Sequence, residues 1–148
     1  MKFAIASDHA GFEQKQQLIE ALSAEGFEIL DLGPDNDGRV DYPDFAEKLS
    51  KVVVSGDVDF GVLVCGTGIG MAIAANKVDG IRAANVTRSD FAALAREHNN
   101  ANVLTLSGRF VSLDENLACI RAFATTEFGG GRHAGRVEKI MNLEHKND

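Results

Sequence analysis

Phe60-Gly61-Val62-Leu63-Val64-Cys65-Gly66-Thr67-Gly68-Ile69-Gly70-Met71 is the stretch on which the fold turns. Its first six residues are apolar without alternation, as in a strand covered on both faces. The run ends in a thiol. Glycines then stand at every second position, and a small-residue helix is expected over residues 69–76. Strand, glycine turn and helix in immediate succession are the repeating unit of an α/β protein.

The same alternation continues outward in both directions. Towards the N-terminus, residues 2–7 read as a strand. Residues 12–25 follow as a helix with Leu18, Ile19 and Leu22 on one face, stopped by Gly26. Residues 27–32 are a second strand, and residues 33–38 are a loop on composition. A helix to about Val54 opens at Asp41-Tyr42-Pro43, where Asp41 suits the cap and Pro43 the first turn. Towards the C-terminus, strands are expected at 81–86 and 102–106, with helices at 89–97 and 114–128. Gly129-Gly130-Gly131 breaks the chain before a last helix from Arg132 to about His145, and the polar tail, residues 144–148, is expected to fray. Such a pattern predicts a parallel sheet with helices on both faces, which binds ligands outside the carboxyl ends of its strands. Asp8 and His9 follow the first strand and Cys65 to Gly70 follow the third, so both groups fall on one edge.

Composition narrows the function. The 148 residues suit one domain, residues 1–148, with 45% hydrophobic content for its core. Fifteen basic against twenty-two acidic residues leave a net charge of −7, which disfavours nucleic acid or an anionic membrane as partner. No apolar run approaches the roughly 20 residues of a membrane span. Residues 1–6 read as a strand rather than a signal peptide. Two cysteines make no disulfide framework, so a cytoplasmic protein with reduced thiols is expected.

Several side chains could carry chemistry. Cys65 reads either as the buried end of a core strand or as a base, because a following helix N-terminus favours thiolate. Cys119, mid-helix between Leu117 and Ile120, reads as packing. Gly66, Gly68 and Gly70 form a tight turn or an N–H cradle for an oxyanion. With Met71 where a dinucleotide fingerprint needs glycine, and with no Gly-Lys-Ser/Thr, the turn is neither familiar nucleotide motif. Arg132 and Arg136 are four apart, so one helix would carry both on one face near its N-terminus, an arrangement that costs energy unless an anion answers it. The alternative is two solvated arginines answered by Glu138 or other acids. Arg109 is a third candidate for the same anion. Among the histidines, His9 and His98 stand out by position, whereas His133 and His145 do not. Asp8 reads as a nearby carboxylate or a helix cap, and Tyr42 as a ligand contact or packing. No set of Cys, His and carboxylate has metal-ligand spacing.

Taken in order, Ser7-Asp8-His9-Ala10-Gly11-Phe12, Asp41-Tyr42-Pro43, Cys65-Gly66-Thr67-Gly68-Ile69-Gly70, Ala74-Ala75-Asn76-Lys77, Gly80-Ile81-Arg82-Ala83, His98-Asn99-Asn100-Ala101-Asn102-Val103 and Gly130-Gly131-Arg132-His133-x-x-Arg136-Val137 resemble the type B ribose-5-phosphate isomerases, whose family also holds the galactose-6-phosphate isomerase subunits. The likeness runs over essentially the whole chain. It implies a Rossmann-like three-layer sandwich with a five-stranded parallel sheet and a C-terminal helix reaching the partner subunit. It implies a homodimer or homotetramer with sites shared between subunits, a sugar phosphate as ligand, and no metal or organic cofactor. It implies that Cys65 is the base that moves a proton between C2 and C1; a second branch of the family uses a glutamate aligned with Met71, which this chain lacks. Thr67 and His98, with Asp8 beside them, match residues linked to opening the sugar ring. His9, Arg109, Arg132 and Arg136 match phosphate contacts, some from the partner. Tyr42, Asn99 and Gly66 to Gly70 match sugar contacts and the oxyanion cradle. Isomerisation of a six-carbon sugar phosphate, such as allose or galactose 6-phosphate, stays open, as does a non-catalytic phosphate- or nucleotide-binding module. A thiol redox protein is disfavoured by the lack of Cys-x-x-Cys.

Overall fold

Residues 60–65 are the middle strand of a five-stranded, all-parallel sheet. In chain order, β1 (Lys2–Ser7), α1 (Phe12–Ala24), β2 (Glu28–Asp31), α2 (Tyr42–Ser55), β3 (Phe60–Cys65) and α3 (Ile69–Ala75) make the first part. The second part is β4 (Ala83–Asn85), α4 (Ser89–Asn99), β5 (Val103–Ser107), α5 (Leu113–Thr125) and α6 (Ala134–Asn142), the last flanked by 3-10 turns at Gly131–His133 and Leu143–His145. The computed structural model describes residues 1–145, so the expectation for the tail beyond His145 lies outside the described residues. Glu144, expected to fray with that tail, instead accepts a hydrogen bond from Gly80 N–H at 2.7 Å.

The strands lie in the order β2-β1-β3-β5-β4. The chain moves one way from β1 to β2 and the other way from β1 to β3, so the order reverses between β1 and β3. That reversal opens a crevice at their carboxyl ends. Phe60, Val62 and Val64 point into one buried cluster with Phe3, Ile5, Leu104, Leu106, Leu18, Ile120 and Phe123. Leu63 and Cys65 point into the other, with Ala4, Ala6, Leu49 and Met71. Helices α1 and α5 therefore cover one face, and α2 and α3 the other, as the unalternating apolar strands predict.

Several boundaries differ from those the sequence predicts. Strand β4 is only Ala83–Asn85, because the Asn102 side chain takes Arg82 N–H at 2.8 Å and the Asn76 side chain takes Ala83 N–H at 2.8 Å. Helix α5 stops at Thr125 rather than Phe128; the hydroxyls of Thr125 and Thr126 bond back to the carbonyls of Arg121 and Ala122, and Thr126 is extended. Asp41 occupies the N-cap of α2 without a side-chain capping bond. Asp8 does not cap α1 either: Gly11 holds that place, and the Asp8 carboxylate accepts Gly11 N–H at 3.0 Å across the preceding turn. The last helix begins at Ala134, so Arg132 lies in the 3-10 turn and only Arg136 in α6.

Candidate active site

Cys65 ends β3 beside the crevice, 5% exposed and unpaired. Gly68 N–H donates to its Sγ at 3.1 Å, which fixes the direction of the side chain. Gly68 has φ +84°, and a methyl there would clash with Asn85 Oδ1 and stand 3.0 Å from the Leu106 carbonyl. Only glycine makes this turn at this depth. Thr67 is exposed, its Oγ1 accepting Ile69 N–H at 3.2 Å. A methyl on Gly70 would lie 2.7 Å from the Tyr42 ring, so the phenol sits directly on the glycine turn.

The exits of β3 and β5 are joined. Gly108 N–H donates to the Cys65 carbonyl at 2.8 Å, Arg109 N–H to the Gly66 carbonyl at 3.2 Å, and Ser107 Oγ–H to the same carbonyl at 2.7 Å. In a planar trans peptide, C=O and the next N–H point in opposite directions. With the Gly66 carbonyl turned towards the exit of β5, Thr67 N–H points away from β5. The Arg109 side chain lies over Gly66, with Nη1 3.4 Å from where a methyl would stand. Across the crevice, Asp8 is 7% exposed. His9 Nδ1 accepts Val40 N–H at 3.4 Å, which leaves Nε2 without a partner among the described residues.

The remaining candidates are elsewhere. His98 and Asn99 end α4, just before β5, and residues that precede a parallel strand lie at its amino edge. Val103 pairs with Gly61, whereas Ser107 pairs with Cys65. Those four steps separate the two edges by about 13 Å. The C-terminal segment follows the amino edge too. Gly129 N–H donates to the Glu97 carbonyl at 2.9 Å, and the Arg82 guanidinium meets Met141 Sδ at 3.1 Å. His133 stacks on His98, with ring centroids 4.3 Å apart. Arg132 and Arg136 are exposed beside it. Among the described residues, Arg109, Arg132 and Arg136 form no ion pair, so neither Glu138 nor another described acid answers them. A cavity of about 770 Å³ at this edge is lined by Asn99, Arg82, Ile140 and Leu143 among others. The candidate residues of one chain thus fall into two separate groups: Asp8, His9, Tyr42, Cys65, Gly66, Thr67, Gly68, Gly70 and Arg109 at the carboxyl edge, and His98, Asn99, Arg132 and Arg136 at the amino edge.

The model of the Ribose/Galactose Isomerase family matches residues 3–140. The chain belongs to this family. Among Ribose/Galactose isomerases, it is 47% identical to the probable ribose-5-phosphate isomerase B of Mycoplasma genitalium, over 97% of this chain and 96% of that one. It is 40% identical to ribose-5-phosphate isomerase B of Escherichia coli K12, over 98% and 97%. The solved structure of Clostridium thermocellum ribose-5-phosphate isomerase B superposes with a TM-score of 0.97 at 47% identity, covering 100% of each chain. That of the Mycoplasma genitalium enzyme with bound ribulose-5-phosphate superposes at 0.92 with 47% identity, covering 99% of this chain and 97% of that one.

Ser107 and Asn85 shape this isomerase fold around the glycine turn, Lys15 pins the loop after β2, and the sequence reading passes over all three. A hydroxyl at the carboxyl end of a strand was the available signal for Ser107. Lys15 is fully buried, its Nζ donating to Asp31 Oδ1 at 2.7 Å and to the Pro34 carbonyl at 2.9 Å. Nothing in its helical spacing separates it from a solvated lysine. Among the described residues no group of three or more His, Cys, Asp or Glu is gathered as a metal site, and no helix is long and apolar enough to cross a membrane.

Proposed function

We propose that this chain is an aldose–ketose isomerase that interconverts ribose 5-phosphate and ribulose 5-phosphate, the whole chain acting as one domain. The observation that carries the reading is Cys65 at the sheet's reversal point with backbone donors around it, in a chain 47% identical to one solved with ribulose-5-phosphate bound.

The chemistry runs as follows. His98 shuttles the proton that opens the sugar ring, with Thr67 and Asp8 beside the ring oxygen. The Cys65 thiolate takes the proton from C2 of the open-chain aldose. The electron pair becomes the C1–C2 double bond, and O1 becomes an oxyanion met by Thr67 N–H and by Gly70 N–H in the first turn of α3, while Gly68 N–H stays on the Cys65 sulfur. Each such donor is worth roughly 3–4 kcal/mol in the transition state. The thiol returns its proton to C1 while the proton on O2 passes to O1, and ribulose 5-phosphate results. Tyr42 and Asn99 hold hydroxyls. His9, Arg109, Arg132 and Arg136 grip the phosphate, so that binding energy far from the reacting carbons fixes their geometry.

A second copy completes the site, since His98, Asn99, Arg132 and Arg136 lie a sheet's length from Cys65 in their own chain. In a two-fold dimer the amino edge of one chain meets the carboxyl edge of the other, twice. Exposed apolar side chains support such a contact: Ile69 and Ile73 on α3 are 53% and 62% exposed, and Ile140 and Leu143 at the C-terminal segment 44% and 60%. Helix α6 is the element that reaches the partner. The deciding experiment is turnover of ribose 5-phosphate beside allose 6-phosphate and galactose 6-phosphate. Preference for the pentose is expected; higher kcat/KM on a hexose phosphate would reassign the substrate, and no turnover on any would leave a binding module.

A further inference from the structure

His133 lies between the two C-terminal arginines and has no part in the chemistry above, yet the backbone is built to place its ring. Gly129 docks on the end of α4 through the Glu97 carbonyl, and a methyl there would stand 3.2 Å from that oxygen. Gly130 and Gly131 take φ of +61° and +53°, turning the chain back on itself. His133 N–H then closes the turn on the Gly130 carbonyl at 3.0 Å. The outcome is a near-parallel stack on His98, centroids 4.3 Å apart and planes 19° apart. An imidazole has a soft torsion at its ring; among the described residues the His98 ring makes no hydrogen bond, and the His133 face is what holds its plane.

We propose that His133 is a positioning residue that sets the plane of the His98 imidazole by stacking on it. This rests on the isomerase reading, in which His98 moves the ring-opening proton. A proton-shuttling ring must present its nitrogens along a fixed line to donor and acceptor, and stacking removes the rotation that would spoil it. The charges around the pair suit the task. Loss of hydration, and then His98, Arg132 and Arg136, hold His133 below the ordinary imidazole range, against the opposing pull of Glu97. The stacked partner therefore stays neutral and does not repel a proton arriving on His98.

The test compares wild type with His133→Ala and His133→Phe. Ribose 5-phosphate enters as a closed ring. Ribulose 5-phosphate stays open, because its C5 oxygen carries the phosphate and cannot close a five-membered ring on C2. Solvent deuterium uptake at C1 of the ketose therefore reads proton transfer without ring opening. His133→Ala should lower kcat on ribose 5-phosphate by about tenfold, with deuterium uptake and inhibition by inorganic phosphate both within twofold of wild type. His133→Phe, which keeps a stacking face, should restore most of the turnover. Unchanged turnover in His133→Ala would overturn the proposal. So would weakened inhibition by phosphate in both variants, which would make His133 an anion contact. Equal losses in both reactions with a lowered Tm would make it a structural residue only. A wild type with no turnover would overturn the isomerase reading and this proposal with it, whereas an active wild type with an indifferent His133 overturns the proposal alone.

Discussion

Cys65 gains its meaning from one hydrogen bond that spacing cannot predict. A cysteine at the end of a buried strand is ordinary packing until a backbone donor is aimed at its sulfur, as Gly68 N–H is. Cys65→Ala should lower kcat at least ~100-fold, while calorimetric affinity for ribulose 5-phosphate stays within a few-fold; turnover near wild type would remove the thiol as base. Gly68→Ala carries the complementary expectation. The positive φ alone costs roughly 1–2 kcal/mol, and the clash with Asn85 adds to it, so thermal unfolding should come earlier and turnover fall with the displaced N–H. Cys119 was legible as packing: it is fully buried, and burial pushes its thiol up to about 11. His133 was not legible, because a face-to-face ring contact across 35 residues leaves no periodic trace. Its titration midpoint by NMR should lie below the ordinary 6.5, with loss of hydration as first cause. The sign for stability follows. As pH falls through the ordinary imidazole range the unfolded chain takes up this proton before the folded one, so His133 lowers stability on the acid side.

At the scale of elements, apolar periodicity predicted the strands and helices because both faces of the sheet are covered and each helix buries one stripe. Two of the missed boundaries share one cause: side chains that compete with the backbone ladder. Asn102 and Asn76 shorten β4, and Thr125 and Thr126 shorten α5. Lys15 works in the same way between elements. It joins α1 to the turn after β2, where Gly33 N–H also reaches Asp31 at 2.9 Å and the Gly33 carbonyl accepts Ser7 N–H at 3.0 Å. The loop thus pinned continues to Val40, which holds His9, and to Tyr42. Lys15→Met should lower the unfolding free energy in urea by about 2 kcal/mol; this is less than a fully buried pair loses, because the Asp31 side chain is 37% exposed and keeps its water. A rise in KM for the sugar phosphate should accompany it as the loop loosens under His9. A variant as stable as wild type would show that Asp31 and Pro34 are satisfied without the lysine.

For the whole molecule, the informative fact is the distance between halves. Strand direction made the division legible: whatever follows a strand of a parallel sheet lies at one edge, and whatever precedes it lies at the other. Asp8, Cys65 and Arg109 follow strands, whereas His98 and Asn99 precede one. Only the position of Arg132 and Arg136 needed coordinates, since a helix after the last strand can dock anywhere. In the two-fold dimer proposed above this separation becomes two complete sites, and mixing defective chains tests the arrangement. Cys65→Ala spoils the carboxyl-edge half, and Arg132→Ala with Arg136→Ala spoils the amino-edge half. Each parent, assayed at low substrate, should be nearly inactive. Unfolded together in equal amounts and refolded, half of the dimers should be mixed. In a mixed dimer one site collects both defects, and the other joins an intact Cys65 to intact arginines. One restored site in every second dimer predicts recovery of about a quarter of wild-type activity, from inactive parents and with no new contact. Were the site contained within a single chain, mixing would restore nothing.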